Sequence, residues 1–418
     1  MLVDITIKNY LSFKEATTFS MLADGKTKDL PENVFQHGKH KLLKTSVIYG
    51  PNASGKSNLL QAIKFARDLI VYSHKYDPNL SIPNFQPYKL CKDTIGKPSE
   101  FEINFYVENT LYNYYFAVNQ NEIVSEKLKA YKSQKPSTLF TRDRKGISIK
   151  NFDDNDSAKR VKENNLALSV FADENSEEAK KIHKFFTDIH IISAKLDNPD
   201  TQDVLLKEGE NFKPFLLNLL KIADPTIKDY EYKINEKEVD FDSLPQNIKN
   251  QFVQAPKKVF QTELNDKIVR DLYDKNGNVV GEANFKRSEE SEGTKRIYQW
   301  AGSLYNVMKH NKILFVDELE DSLHPMLVEN MIRSLHQKTD TTFQLVFNTH
   351  NSYLLSLKDL FRKDQIWFTE KDKYGVSDLY SLLEFKTNQG IRKDTDIETN
   401  YLKGRFGAIP FIDEIFKS

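Results

Sequence analysis

The period of the hydrophobic positions changes several times along this chain. At the start, "LVDITIKNYLSF" alternates apolar and polar residues and is rich in β-branched and aromatic types, which predicts a strand with one buried face. "TSVIYG" is wholly apolar, the pattern of a strand buried on both faces inside a sheet. Directly behind it the period becomes helical: in "SNLLQAIKFARDLIVYS", Leu59, Leu60, Ile63, Ala66 and Ile70 fall on one face. Between about Glu100 and Lys150 the segments "FEINFYV", "LYNYYFAV", "EIVSEKLKAY", "TLFTR" and "GISIK" are separated by polar breaks and predict an antiparallel meander whose role is packing. Helical periods return from Ala158 to about Asp224, in "SEEAKKIHKFFTDIHII" and "FKPFLLNLLKIAD". "KIVRDLYDKNGNVVGEANF" then predicts a hairpin turning at Asn276-Gly277.

The last third alternates again. Polar "ESEGTKR" gives way to the apolar helix "IYQWAGSLYNVM", followed by the strand "KILFVDE", a helix opening at His324-Pro325, and the strands "TFQLVFNTH" and "QIWFTEK". Strands and helices in turn at both ends of the chain predict an α/β core interrupted by one long insert. The expected segments are 1–150, holding the first half of the core and the meander, a mostly helical insert over 151–284 ending in the hairpin, and 285–418, holding the second half. No internal repeat, low-complexity tract or heptad run long enough for a coiled-coil arm is present.

Composition narrows the class without naming a partner. A chain of 418 residues with 39% hydrophobic and 12% aromatic residues is a globular protein with a sizeable core. Its 60 basic and 60 acidic residues cancel, so a nucleic-acid contact would need a local patch. The basic stretches "HGKHKLLK", "EKLKAYKSQK" and "APKKVF" have no interleaved aromatic stripe and read as solvated faces. The single cysteine, Cys91, excludes an intrachain disulfide, and no apolar run approaches membrane-spanning length. The expected location is the cytoplasm, with no membrane contact.

"GPNASGKS", Gly50 to Ser57, follows the buried strand and opens the helix, the context in which G-x-x-x-x-G-K-[ST] is a phosphate loop. The backbone of Gly50, Asn52, Ala53, Ser54 and Gly55 would wrap a phosphate, with Asn58 in the first helical turn. Lys56 would reach the outer phosphates, and Ser57 would take Mg2+. The acidic partner is expected at the end of an apolar strand, and "KILFVDELE" supplies Asp317 for the metal and Glu318 to orient or deprotonate an attacking water. "LVFNTH" ends another apolar strand on His350, whose imidazole could reach a γ-phosphate or that water. The plainer alternatives are an acidic helix start for "DELED" and a capped surface histidine.

This ordered set resembles the ABC-type ATPase heads of the SMC and RecF superfamily. In that family a serine-and-glycine signature upstream of the acidic strand serves the nucleotide of the opposite subunit. Here Ser291 and Gly293 stand 26 and 24 residues before Asp317, and the resemblance implies that they act in trans across an ATP-linked homodimer. An ordinary helix start capped by Ser291 is the competing reading. The segments "NYLSFKEATTFSM", "SEGTKR", "DELEDSLHP" and the tail "QIWFTEKDKYGVSDLYSL" with "YLKGRFGAIPFI" are most similar to the ATPases of bacterial antiphage, or abortive-infection, systems of the RloA, AbiLi and Septu-like group related to overcoming-lysogenization-defect nucleases. Departures are Glu292-Gly293 where two glycines are usual, His324-Pro325 where an aspartate is usual, and Leu11 in place of an arginine. The resemblance also leads one to expect a Mg2+-sensing glutamine, for which Gln86 is the candidate.

No metal-dependent nuclease domain is legible. "DTD" at Asp394 to Asp396 follows no apolar strand and "DDND" at Asp153 to Asp156 reads as a solvated turn. The expectation is an ATPase using ATP and Mg2+ that pairs with itself and signals to a separate effector, a nuclease by resemblance. A RecF-like clamp that grips DNA directly and a scaffold with a structural nucleotide are the rival readings, and the balanced charge counts against the clamp.

Overall fold

The computed structural model describes residues 1–132, 135–152, 156–174, 176–192, 200–241, 259–320, 323–338, 341–385 and 396–409. Strand β1 (Leu2–Lys8) pairs antiparallel with β2 (Thr17–Ser20), β3 (Val34–His37) and β4 (His40–Leu43) form a small ribbon, and β5 (Thr45–Tyr49) leads into helix α1 (Lys56–Tyr72). The meander follows as β6 (Ser99–Val107), β7 (Thr110–Val118), β8 (Ile123–Tyr131), β9 (Ser137–Asp143) and β10 (Gly146–Ile149), then α2 (Ala167–Asp173), α3 (Glu177–Thr187) and β11 (Ile189–Ile192). Next come α4 (Asp200–Glu208), α5 (Lys213–Ala223), β12 (Ile227–Val239), β13 (Val259–Tyr273), β14 (Val279–Phe285) and α6 (Glu292–His310). The chain continues with β15 (Ile313–Val316), α7 (Pro325–Gln337), β16 (Gln344–Asn348), α8 (Tyr353–Ser356), β17 (Ile366–Lys371), β18 (Ser377–Ser381) and α9 (Ile397–Leu402).

Two compact units result, one of residues 1–196 with 307–418 and the other of residues 197–306. In the first, a six-stranded sheet runs in the order β11-β15-β16-β5-β17-β18, with the first five strands parallel and β18 antiparallel at the edge. Every residue of β5, β15 and β16 is buried, which is why Val47–Tyr49, Ile313–Val316 and Leu345–Phe347 read as apolar runs. A seven-stranded antiparallel sheet, β10-β9-β8-β7-β6-β1-β2, is the predicted meander joined to the N-terminal strand. Its residues alternate inward and outward along β6 and β8.

Helix α1 ties the two sheets together. Leu59, Leu60, Ile63, Ala66 and Ile70 are all buried, in one cluster with Ile5 and Ile7 of β1, Phe101, Ile103 and Phe105 of β6, and Phe315 and Val346 of the parallel sheet. Each large side chain so buried contributes roughly 1.5–3 kcal/mol, and the helix is thereby held where its N-terminus meets the end of β5.

One stretch departs from its sequence pattern. "IHII" continues the helical period of α3, yet α3 stops at Thr187 and Ile189–Ile192 becomes β11, in parallel register with Ile313–Val316. The backbone groups of a free edge on β15 outweigh local periodicity. The second unit holds α4, α5, the start of α6 and the antiparallel sheet β12-β13-β14. Its β13–β14 hairpin turns at Asn276-Gly277 as the sequence predicts, with Gly277 at φ 84°. The partner ribbon β12–β13 is the part that the sequence pattern did not announce.

Candidate functional site

Parallel pairing sets the C-terminal ends of β15, β16, β5 and β17 side by side, the end of an open α/β sheet at which ligands bind. The predicted residues sit in the turns leaving those ends: Asp317 and Glu318 after β15, His350 after β16, and the loop Gly50–Gly55 after β5. Asn52, Ala53, Ser54, Gly55, Lys56, Ser57, Asn58, Glu318, His350 and Lys371 line one cleft of about 410 Å³.

The loop geometry is imposed by close packing. A Cβ on Gly50 would lie 2.4 Å from the Thr369 carbonyl oxygen, so β17 leaves room for hydrogen only. Gly55, the residue before α1, stands at φ 125°, and a Cβ there would lie 2.4 Å from Ser377 Oγ. Hydroxyls complete the clamp. Asn58 Nδ2 donates to Ser12 Oγ at 2.7 Å, Ser12 and Ser377 are linked at 2.7 Å, and Ser377 Oγ donates to the Ser54 carbonyl at 2.5 Å. Ser54 Oγ meets Thr369 Oγ1 at 2.5 Å. "NYLSF" thus contributes a turn, with Asn9 and Leu11 at positive φ, that carries Ser12 to the loop.

Lys56 is buried at the foot of the cleft, its Nζ donating to the carbonyls of Gly50 at 2.7 Å and Pro51 at 3.1 Å. Burial pushes its pKa down to about 8, against the opposing pull of Glu318, Glu320 and Asp317. Ser57 Oγ donates to Asp317 Oδ1 at 2.9 Å. A hydroxyl and a carboxylate meeting at a helix N-terminus are hard oxygen ligands and fit Mg2+. Among the described residues no group of three or more His, Cys, Asp or Glu side chains is placed to hold a metal without help.

His350 Nε2 lies 3.8 Å from Glu318 Oε1, and both side chains are partly exposed to the cleft. Burial and the Lys56 charge lower the His350 pKa, while Glu320, Glu318 and Asp317 act in the opposite sense, and the net effect favours the neutral imidazole. Glu320 accepts the His350 backbone N–H, which fixes the turn that carries the imidazole.

Other predicted residues fall elsewhere. Ser291 and Gly293 lie in the second unit at the start of α6, where Ser291 Oγ accepts the Thr294 N–H at 3.2 Å as a helix cap. His324 likewise caps α7, accepting the Met326 N–H at 3.3 Å, with Pro325 as first helical residue. Gln86 is exposed, and its carbonyl accepts the Leu11 N–H at 2.8 Å. Asp394 and Asp153 lie outside the described residues, and Asp396 caps α9. No described helix is long and apolar enough to cross a membrane.

Sequence reasoning missed Asn348, Glu320, Ser12, Thr369, Ser377 and Lys371. Two of these carried a local signal: Asn348 closes its strand after the apolar Leu345–Phe347, and Glu320 lies in the acidic run "DELED".

The model of a protein family described as "AAA domain, putative AbiEii toxin, Type IV TA system" matches residues 46–356. No curated protein sequence matches. Among solved structures, the SMC head domain from Thermotoga maritima is similar at 14% identity and TM-score 0.39, with 91% of this chain and 98% of that one covered. An SMC head bound to the C-terminal winged-helix domain of ScpA is similar at 11% identity and TM-score 0.44, with 91% and 97% covered.

Proposed function

The chain belongs to this AAA-domain family and is an ATPase of that type, and on this premise we propose that it works as a nucleotide-gated switch. It binds ATP with Mg2+, hydrolyses it, and pairs with a second copy around the nucleotide. Its nucleotide state passes to a separate effector, a nuclease, in bacterial antiphage defence of the abortive-infection kind. The defence role draws on the family's toxin–antitoxin description and on the sequence resemblance; the ATPase chemistry draws on the cleft.

The observation that carries the reading is the convergence of Lys56, Ser57, Asp317, Glu318 and His350 on one cleft at the ends of parallel strands. The loop backbone and the N-terminus of α1 cradle the phosphates, and Lys56 turns from the Gly50 and Pro51 carbonyls to the outer ones. Ser57 and Asp317 hold Mg2+, which when bound neutralises charge on the phosphate oxygens. Glu318 accepts a proton from the attacking water or orients it, and neutral His350 donates a hydrogen bond to the γ-phosphate side. Ser291 and Gly293, at the exposed start of α6, serve the partner's nucleotide with helix N–H groups. Loss of the γ-phosphate removes the shared ligand and releases the pair.

Two variants test this. Lys56→Ala should abolish ATP binding, and unchanged affinity by calorimetry would remove the phosphate-loop assignment. Glu318→Gln should bind ATP as the wild type does and hydrolyse it 10²–10⁴-fold more slowly, the usual scale of general-base loss; wild-type turnover would strip Glu318 of its role.

A further inference from the structure

The acidic turn and the histidine turn are laced together by one side chain. Asn348, the last residue of β16, is completely buried, and both ends of its amide are engaged. Its Nδ2 donates to Asp317 Oδ1 at 2.5 Å, and its Oδ1 accepts the Glu318 N–H at 2.6 Å. Its backbone carbonyl accepts the Leu319 N–H at 3.2 Å. Glu318 stands at φ 55°, a left-handed conformation that a residue with a side chain adopts only when its neighbours hold it there. The amide has a single acceptable orientation. Flipped, it would set its oxygen against the Asp317 carboxylate and its NH2 against the Glu318 N–H.

We propose that Asn348 is the positioning residue of this ATPase, holding the Asp317 carboxylate against the Ser57 hydroxyl and fixing the Glu318 backbone so that its carboxylate faces His350. The inference rests on the function proposed above and adds to it a residue that touches no substrate. Asparagine suits the position as no other residue does. Aspartate would lose the donor and place a second anion beside Asp317, a hydroxyl can serve only one of the two partners fully, and leucine fills the volume but serves neither. Because β15 and β16 are neighbours, one side chain reaches both acidic residues while its own strand delivers His350 two residues later. One side chain thereby ties the acidic pair to the strand that carries the histidine.

The test compares Asn348→Leu and Asn348→Thr with the full-length wild type in two assays, after melting curves have shown which variants fold. In turnover, Asn348→Leu should lower kcat 10–100-fold, the range for loss of a partner that orients a metal ligand, with KM for ATP within threefold. Asn348→Thr should fall between the two. In binding, ATP affinity measured in EDTA should equal wild type, because the phosphate loop is untouched, while the gain in affinity on adding Mg2+ should shrink about tenfold. A merely structural role would weaken both affinities together. Folded variants with wild-type kcat and a full Mg2+ gain would overturn the proposal, and if the leucine variant does not fold the threonine variant decides by the same criteria. A wild type that binds Mg-ATP without turning it over would end the ATPase reading, while the Mg2+ gain would still judge Asn348.

Discussion

Lys56 carries a proton that its buried position does not favour. Its ordinary pKa of 10.5 falls to about 8 because burial penalises the charge more than the nearby carboxylates reward it. Phosphate binds the ammonium form, so affinity should be flat below about pH 8 and weaken above it, until the pKa of the bound lysine is passed. ATP binding at pH 9 should be about tenfold weaker than at pH 7 by calorimetry, and equal affinities would mean that Lys56 does not meet the phosphates. The stability of the unliganded protein has the opposite sense. Between about pH 8 and 10.5 the unfolded chain holds a proton that the folded lysine has shed, so this residue's contribution to stability rises with pH through that window. At this scale the phosphate loop and the acidic pair were legible in the sequence, because their spacing is local. Asn348 and the Ser12–Ser377 link were not: their partners are 31 and 365 residues away, and only strand order brings them together.

Among the elements, α1 is the one on which the site depends, since its N-terminus must point along the exit of β5. Gly55 makes the junction. Gly55→Ala would force a Cβ toward Ser377 and a side chain into a backbone region that disfavours it, at a cost of about 1–3 kcal/mol. The melting temperature should drop by a few degrees and ATP affinity should fall with it; a variant with wild-type melting and affinity would show that the loop tolerates another path. Legibility here followed burial. β5, β15 and β16 announced themselves because central parallel strands have apolar middles, here Val47–Tyr49, Ile313–Val316 and Leu345–Phe347. The strand β11 was hidden because its four residues extend the period of α3, and the open edge of β15 that claims them is 124 residues further on. The ribbon β12–β13 was hidden for a different reason: its outer half is largely exposed on both faces, so no alternation marks it.

For the molecule as a whole, the account requires that each chain supply half of two sites, with Lys56, Asp317 and Glu318 from one copy and Ser291 with Gly293 from the other. The formal charge is zero, so association is not opposed by net repulsion, and on this account ATP is the ligand that would decide it. The most direct test is the native mass of Glu318→Gln, which should hold ATP without consuming it. With Mg-ATP the mass should double from the 48.6 kDa protomer, and should stay single without nucleotide or when Ser291→Arg is added to the same chain. A mass that is the same with and without Mg-ATP, or one indifferent to Ser291→Arg, would contradict a nucleotide shared between two copies.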